Sequence, residues 1–232
     1  MSKASTQNKL DQLLPSVQEW KKIVSPHTKP SAVKATWQVI NSLGSYIALW
    51  IAMYFTLSIS YWLTFAIALF AGAILVRVFI IFHDCGHGSF YKSRRAGNII
   101  GFISGVFTFT PFSHWKWEHS VHHSASGDLD RRGTGDVWTM TVDEYLGSSR
   151  RIRFIYRAMR NPFILFMIAP LYLFLIRERF STPGASPHCR KSVWKMNLAI
   201  GLLALALILI YGWIPYLLIQ LTTICVAAIS GV

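Results

Sequence analysis

The chain has 232 residues, of which 53% are hydrophobic and 14% charged, with 23 Lys/Arg against 10 Asp/Glu and a net charge of +13. Ordinary soluble domains carry roughly a quarter charged residues, so this balance excludes one. The positive excess needs no nucleic acid, because positive-inside bias and attraction to anionic headgroups account for it in a bilayer protein.

The first 34 residues are polar, with six lysines against Asp11 and Glu19. They lack the short apolar core and small-residue cleavage site of a signal peptide, so the first span is expected to be an uncleaved anchor. A surface amphipathic helix is expected here, carrying Leu10, Leu13, Leu14, Val17 and Trp20, with Pro15 interrupting it. No charged residue occurs from Ala35 through Val76. At about 1.5 Å per residue and about 30 Å of hydrocarbon, that run is long enough for two crossings. The expected spans are Trp37 to Ser58 and Tyr61 to Phe82, joined by the uncharged turn "SISYW". Residues 83–160 hold eleven Lys/Arg and seven Asp/Glu. The positive-inside rule therefore puts the amino terminus and 83–160 in the cytoplasm.

"FILFMIAPLYLFLI", Phe163 to Ile176, is short for a span, contains Pro170 and has arginines on both sides. A re-entrant or interfacial segment is expected. Two further spans follow, Val193 to Tyr211 and Ile214 to Val232, and the apolar ending predicts a truncated chain. The fold class is thus an all-α integral membrane protein with about four transmembrane helices, the re-entrant segment and a cytoplasmic cap. Cys85, Cys189 and Cys225 form no CxxC pair, so neither a disulfide nor a thiolate metal site is expected.

The eight histidines concentrate in "HDCGH" and "HWKWEHSVHH". His83 and His87 lie one helical turn apart, and His119, His122 and His123 share one helix face. An HxxHH triple arises by chance in about one such chain in a hundred. Imidazole is a ligand for iron, zinc, copper and nickel, so these five are the candidate metal residues. Five imidazoles without a cysteine pair do not match a closed structural zinc shell. His114 falls off that face and reads as structural, and His27 and His188 as loop residues. Asp84 and Glu118 are either acceptors that orient imidazoles or solvated charges. Gly97, Gly101 and Gly105 form a smooth stripe, read as close helix packing or an acyl-tunnel wall. "RRGTGDVW" reads as a glycine turn, with Asp128, Asp130 and Asp136 as alternative acceptors near the metal.

"HDCGH", then "HSVHH", then "SASGDLDRRGTGDVWTMTVDEY" resembles the bacterial branch of the membrane fatty acid desaturases, nearest the acyl-lipid delta-12 and omega-3 type. The two boxes alone also admit carotenoid hydroxylases and ketolases; a metal-binding membrane protein such as a transporter is the alternative outside enzymes. The resemblance implies a domain over 37–232, preceded by a cytoplasmic segment over 1–36. It further implies two iron ions (Fe2+/Fe3+) on His83, His87, His119, His122 and His123, with no catalytic residue beyond these ligands. Dioxygen would be the co-substrate, a membrane lipid acyl chain the substrate and an external carrier such as ferredoxin the donor. The setting implied is a bacterial inner membrane with the site facing the cytoplasm. The family's third histidine box would lie beyond Val232. Five arginines between Arg150 and Arg160 offer a helical face, either to an acidic donor or to headgroup phosphates.

Overall fold

The computed structural model describes residues 16–27, 29–133, 135 and 137–231. A short helix α1 (Val17–Val24) opens on a capping box, in which Ser16 and Glu19 satisfy each other's backbone N–H groups. Its start after Pro15 leaves Leu10, Leu13 and Leu14 of the expected amphipathic helix outside the described residues.

Among the described residues, four helices are long and apolar enough to cross a membrane: α2 (Ala32–Leu57), α3 (Tyr61–His87), and, later in the chain, α9 (Pro187–Tyr211) and α10 (Trp213–Ser230). α2 and α9 begin before their expected limits, because polar caps rather than the start of the apolar run set their first residues. Ser31 caps α2 by accepting from the Lys34 N–H, and Ser186 caps α9 by accepting from Cys189. Gly88, in the left-handed region at φ 72°, stops α3 immediately after His87.

Small residues set the packing among α2, α3 and α10. Ala68 and Ala71 of α3 are fully buried against Met53, Ile219 and Tyr216. Gly72 lets α10 approach so closely that an added Cβ would sit 2.8 Å from the Val226 Cβ. Trp50 donates its indole N–H to Gln220 Oε1 at 3.1 Å, which satisfies both polar groups inside the apolar interior. Trp37, Phe55, Trp62, Phe70, Leu209 and Ile210 stay more than half exposed around this bundle. An apolar surface of that extent is a lipid-facing one, and the chain is an integral membrane protein.

Between α3 and α9 the chain builds the platform for the histidines. Helices α4 (Arg94–Phe107) and α5 (Phe112–Ala125) form a hairpin closed by Thr108–Pro111. Each has 14 residues, about 21 Å, too short to cross. The tight turn holds Phe109 at φ 57°, a strained position for a non-glycine residue, while its carbonyl accepts from Arg179.

Two short helices, α6 (Val142–Gly147) and α7 (Arg150–Met159), lead into a π-helical turn (Ile164–Ile168) continued by α8 (Ala169–Leu175). The axis bends by 61° between α7 and the segment Ile164–Arg179. The bend falls at the break before Ile164, so α7 and the apolar run Phe163 to Ile176 do not form one straight helix; this geometry is common to a broken span and to the expected re-entrant segment. One expectation fails locally: His188 lies in the first turn of α9, because Ser186 and Pro187 start that helix before it.

Candidate metal centre

The last turn of α3 and the second half of α5 bring four imidazoles together. His83 Nε2 lies 3.2 Å from His87 Nε2, and each lies 3.1 Å from His119 Nε2. His123 Nε2 is 3.0 Å from His119 Nε2, and the four donor atoms all fall within 4.8 Å of one another. Aromatic rings floor the cluster. Trp115, one turn before His119, stacks on it with centroids 4.3 Å apart, and Phe82 lies 4.8 Å from Trp115.

Hydrogen bonding alone does not account for this geometry. His119 Nε2 either donates one N–H or accepts on one lone pair, yet it touches three other Nε2 atoms, so these contacts cannot all be hydrogen bonds. His83 Nδ1 lies 3.1 Å from Asp84 Oδ1; a proton on Nδ1 leaves its Nε2 as a bare acceptor. Burial first, and then the neighbouring imidazoles of His83, His123, His87 and His122, push His119 down to about 4, so it is neutral and ligand-competent at pH 7. Metal–nitrogen bonds of about 2.0–2.1 Å place neighbouring donors about 3.0–3.4 Å apart, so the set fits a shared cation. Cys85, between His83 and His87, packs instead into an apolar cluster with Phe82, Phe90 and Phe112.

His122 is not one of these four, although its ring meets His123 edge-on with centroids 5.7 Å apart. Its ring centroid is 6.2 Å from that of His119, and both residues line a cavity of about 590 Å³. Trp115, Val137, Leu165, Ala169, Pro170 and Leu173 form its apolar walls, and Glu118, Arg177, Glu178 and Thr182 its polar end. Gly135 crosses His122 so closely that a Cβ there would sit 3.1 Å from the His122 Cβ, and its φ of 76° also favours glycine. Gly133 and Gly135 both line this cavity.

The flanking acids divide. Asp84 reaches a box histidine. Glu118 does not: it lies 3.5 Å from His114 Nδ1 and accepts from Arg177 at 2.9 Å and from the Thr182 hydroxyl. His114 is fully buried, and its Nε2 accepts the Thr182 N–H at 3.1 Å, so it ties α5 to the segment before α9. Asp128 is occupied with Arg131 at 2.7 Å and the Asp130 N–H at 3.0 Å, a surface turn rather than an acceptor for the imidazoles. Asp136 lies outside the described residues. Glu178 was not singled out by sequence pattern, because a glutamate between two arginines looks solvated. Trp115 was legible in principle, four residues before His119 on one helical face.

The sequence profile of the family described as fatty acid desaturase matches residues 60–232. A fatty acid desaturase of Bacillus subtilis (strain 168) is 46% identical over 195 residues, covering 84% of this chain and 54% of that protein. An sn-1 oleoyl-lipid 12-desaturase of Synechocystis is 33% identical over 95 residues, 41% of this chain and 26% of its own length. An sn-1 acyl-lipid omega-3 desaturase (ferredoxin) of the same organism is 30% identical over 106 residues, 44% and 29% respectively. The chain spans about half the length of the Bacillus relative and less of the other two.

Proposed function

The chain belongs to the fatty acid desaturase family, and from that premise we propose that its protein is an oxygen-dependent, diiron acyl-lipid desaturase. It would introduce a cis double bond into a lipid-linked acyl chain. The observation that carries this reading is the convergence of four imidazoles, at the end of a membrane helix, beside an apolar-walled cavity. His83, His87, His119 and His123 would hold one iron, and His122, which lines the cavity, would contribute to a second. Iron supplies the activation of dioxygen that an unactivated methylene requires.

This chain's residues supply the rest. Asp84 fixes the His83 ring and Trp115 fixes the His119 ring, so neither turns away from the shared point. The apolar walls from Trp115 to Leu173 exclude water and hold an acyl chain extended past His119 and His122. The His114–Glu118–Arg177–Thr182 network holds α5 in place, and with it three of the five histidines.

Electrons would come from an external carrier, and the ferredoxin named for the Synechocystis relative is the class proposed here. Arg150, Arg151 and Arg157 of α7 stay exposed, whereas Arg160 is engaged with Trp138 O and Thr139. The same helix exposes Ile152, Ile155 and Met159, which suits a position at the membrane surface.

Expression of the full-length protein in a host lacking the product tests the reading. A new cis-unsaturated fatty acid should appear with oxygen and not without it, and the purified protein should carry two irons. Hydroxylated product, or one tightly held zinc and no iron, would overturn it.

The proposed setting is the bacterial inner membrane with the histidines on the cytoplasmic face. In a background lacking native cysteines, Cys85, Cys189 and Cys225 among them, a cysteine at Ser58 should react with an impermeant thiol reagent from outside. Cysteines at Gly127 and Ser186 should react only after the membrane is opened. Labelling of Ser186 from outside would make the bent segment a true span and reverse the parity.

A further inference from the structure

Glu178 sits in the 3-10 turn Arg177–Arg179 after α8, is only 4% exposed, and lines the same cavity as His119 and His122. Its Oε2 is buried without a hydrogen-bond partner. The guanidinium groups on either side are directed elsewhere. Arg177 binds Glu118, Thr182 and the Phe180 carbonyl, and Arg179 binds Asn197 and the Phe109 carbonyl. A buried carboxylate left with a bare oxygen is strongly disfavoured, and a second carboxylate, Glu118, stands beside it. Burial first, then Glu118, push the Glu178 carboxyl up to about 7, against the pull of Arg177 and Arg179. The charged groups acting on it are Glu118 from α5 and the two arginines of its own turn, while His119 and His122 of α5 share the cavity and Asn197 of α9 engages Arg179.

We propose that Glu178 is a catalytic acid of the desaturation reaction, donating protons across the cavity to the oxygen that is reduced there. The proposal rests on the desaturase reading above. Removing two hydrogens from the acyl chain while reducing dioxygen to two waters consumes two electrons, from the external carrier, and two protons. A neutral Glu178 breaks its O–H bond, an O–H bond of product water forms, and the carboxylate left behind is reloaded from the aqueous side. Two such cycles complete one turnover. Among the described residues, His83, His87, His119 and His123 are unsuited to this task, because their donor nitrogens converge on the shared cation point.

Glu178→Gln in the full-length protein tests this, since it keeps the shape and removes the exchangeable acid. In the iron-free form, infrared spectroscopy at neutral pH should show a protonated-carboxyl band in the wild type that is missing in the variant. In the iron-loaded form, iron content should be unchanged and product should fall at least about a hundredfold per electron consumed, the scale of lost general-acid catalysis, with hydrogen peroxide released instead. Glu178→Asp should recover part of the coupling. Wild-type coupling in Glu178→Gln, or loss of its iron, would overturn the proposal, the latter by making the residue a ligand or a scaffold. A wild type that binds no iron would sink the desaturase reading, while the infrared comparison would still report the protonation of Glu178.

Discussion

In the full-length protein, His119→Ala should reduce product formation by more than about 100-fold, beyond the 10–100-fold typical of losing an outer partner of a ligand. It should also remove at least one bound iron per chain. His119 is the hub of the cluster: its Nε2 lies 3.0–3.1 Å from three other imidazole nitrogens, and no other box histidine makes more than two such contacts among those described. Deleting it opens a metal shell and removes the partner on which Trp115 stacks. The cost to folding should be modest, about 0.5–1.5 kcal/mol for that stacked pair, so the protein should still insert and purify. His122→Ala makes the informative comparison. It should retain the iron held by His83, His87, His119 and His123, because its ring lies outside that set. Elemental analysis alongside turnover separates the two variants. Full iron occupancy and activity in His119→Ala would remove the four-imidazole cluster from the chemistry.

That comparison marks a boundary of what the sequence discloses. Spacing of i, i+3 and i+4 places His119, His122 and His123 on one broad arc of α5, and the charge-free run from Ala35 to Val76 announces the first pair of spans. Periodicity does not say from which side the partner helix arrives. On an ideal helix His122 and His123 point about 100° apart, and α3 docks on the side of His119 and His123. The same gap explains the other surprises. The Gly97, Gly101 and Gly105 stripe was visible, but the return of the chain on it through the Phe109 turn depends on a long-range tie to Arg179. Glu178 reads as a surface charge until the partners of its two arginine neighbours are known. Glu118 borders a box histidine in sequence and serves a different one, His114, in space.

The glycine stripe gives the second large effect, and its three members should behave differently. A Cβ on Gly97 meets nothing within 4 Å, so Gly97→Ala should be neutral or slightly stabilising in a helix. A Cβ on Gly101 runs into the ring of Phe112, the first residue of α5, which is itself buried. A Cβ on Gly105 would sit 2.5 Å from the Thr110 backbone oxygen, 2.9 Å from Met196 Cε and 3.1 Å from Phe82. The Met196 end can swing aside, but the Thr110 carbonyl belongs to the hairpin turn and cannot. That turn is held by the Thr110 N–H to the Gly105 carbonyl at 2.8 Å, so the clash strikes the bond that closes it. Gly105→Ala should therefore cost about 1–3 kcal/mol, as overpacking of a tight core does. The relief of strain would push the start of α5 outward. His119 lies two turns further along the same helix, so the displacement passes directly to the metal centre. The expected result is a lower melting temperature together with weaker iron retention in Gly105→Ala, both absent from Gly97→Ala. If Gly105→Ala matches the wild type in thermal stability and iron content, the hairpin is not the rigid platform that positions His119.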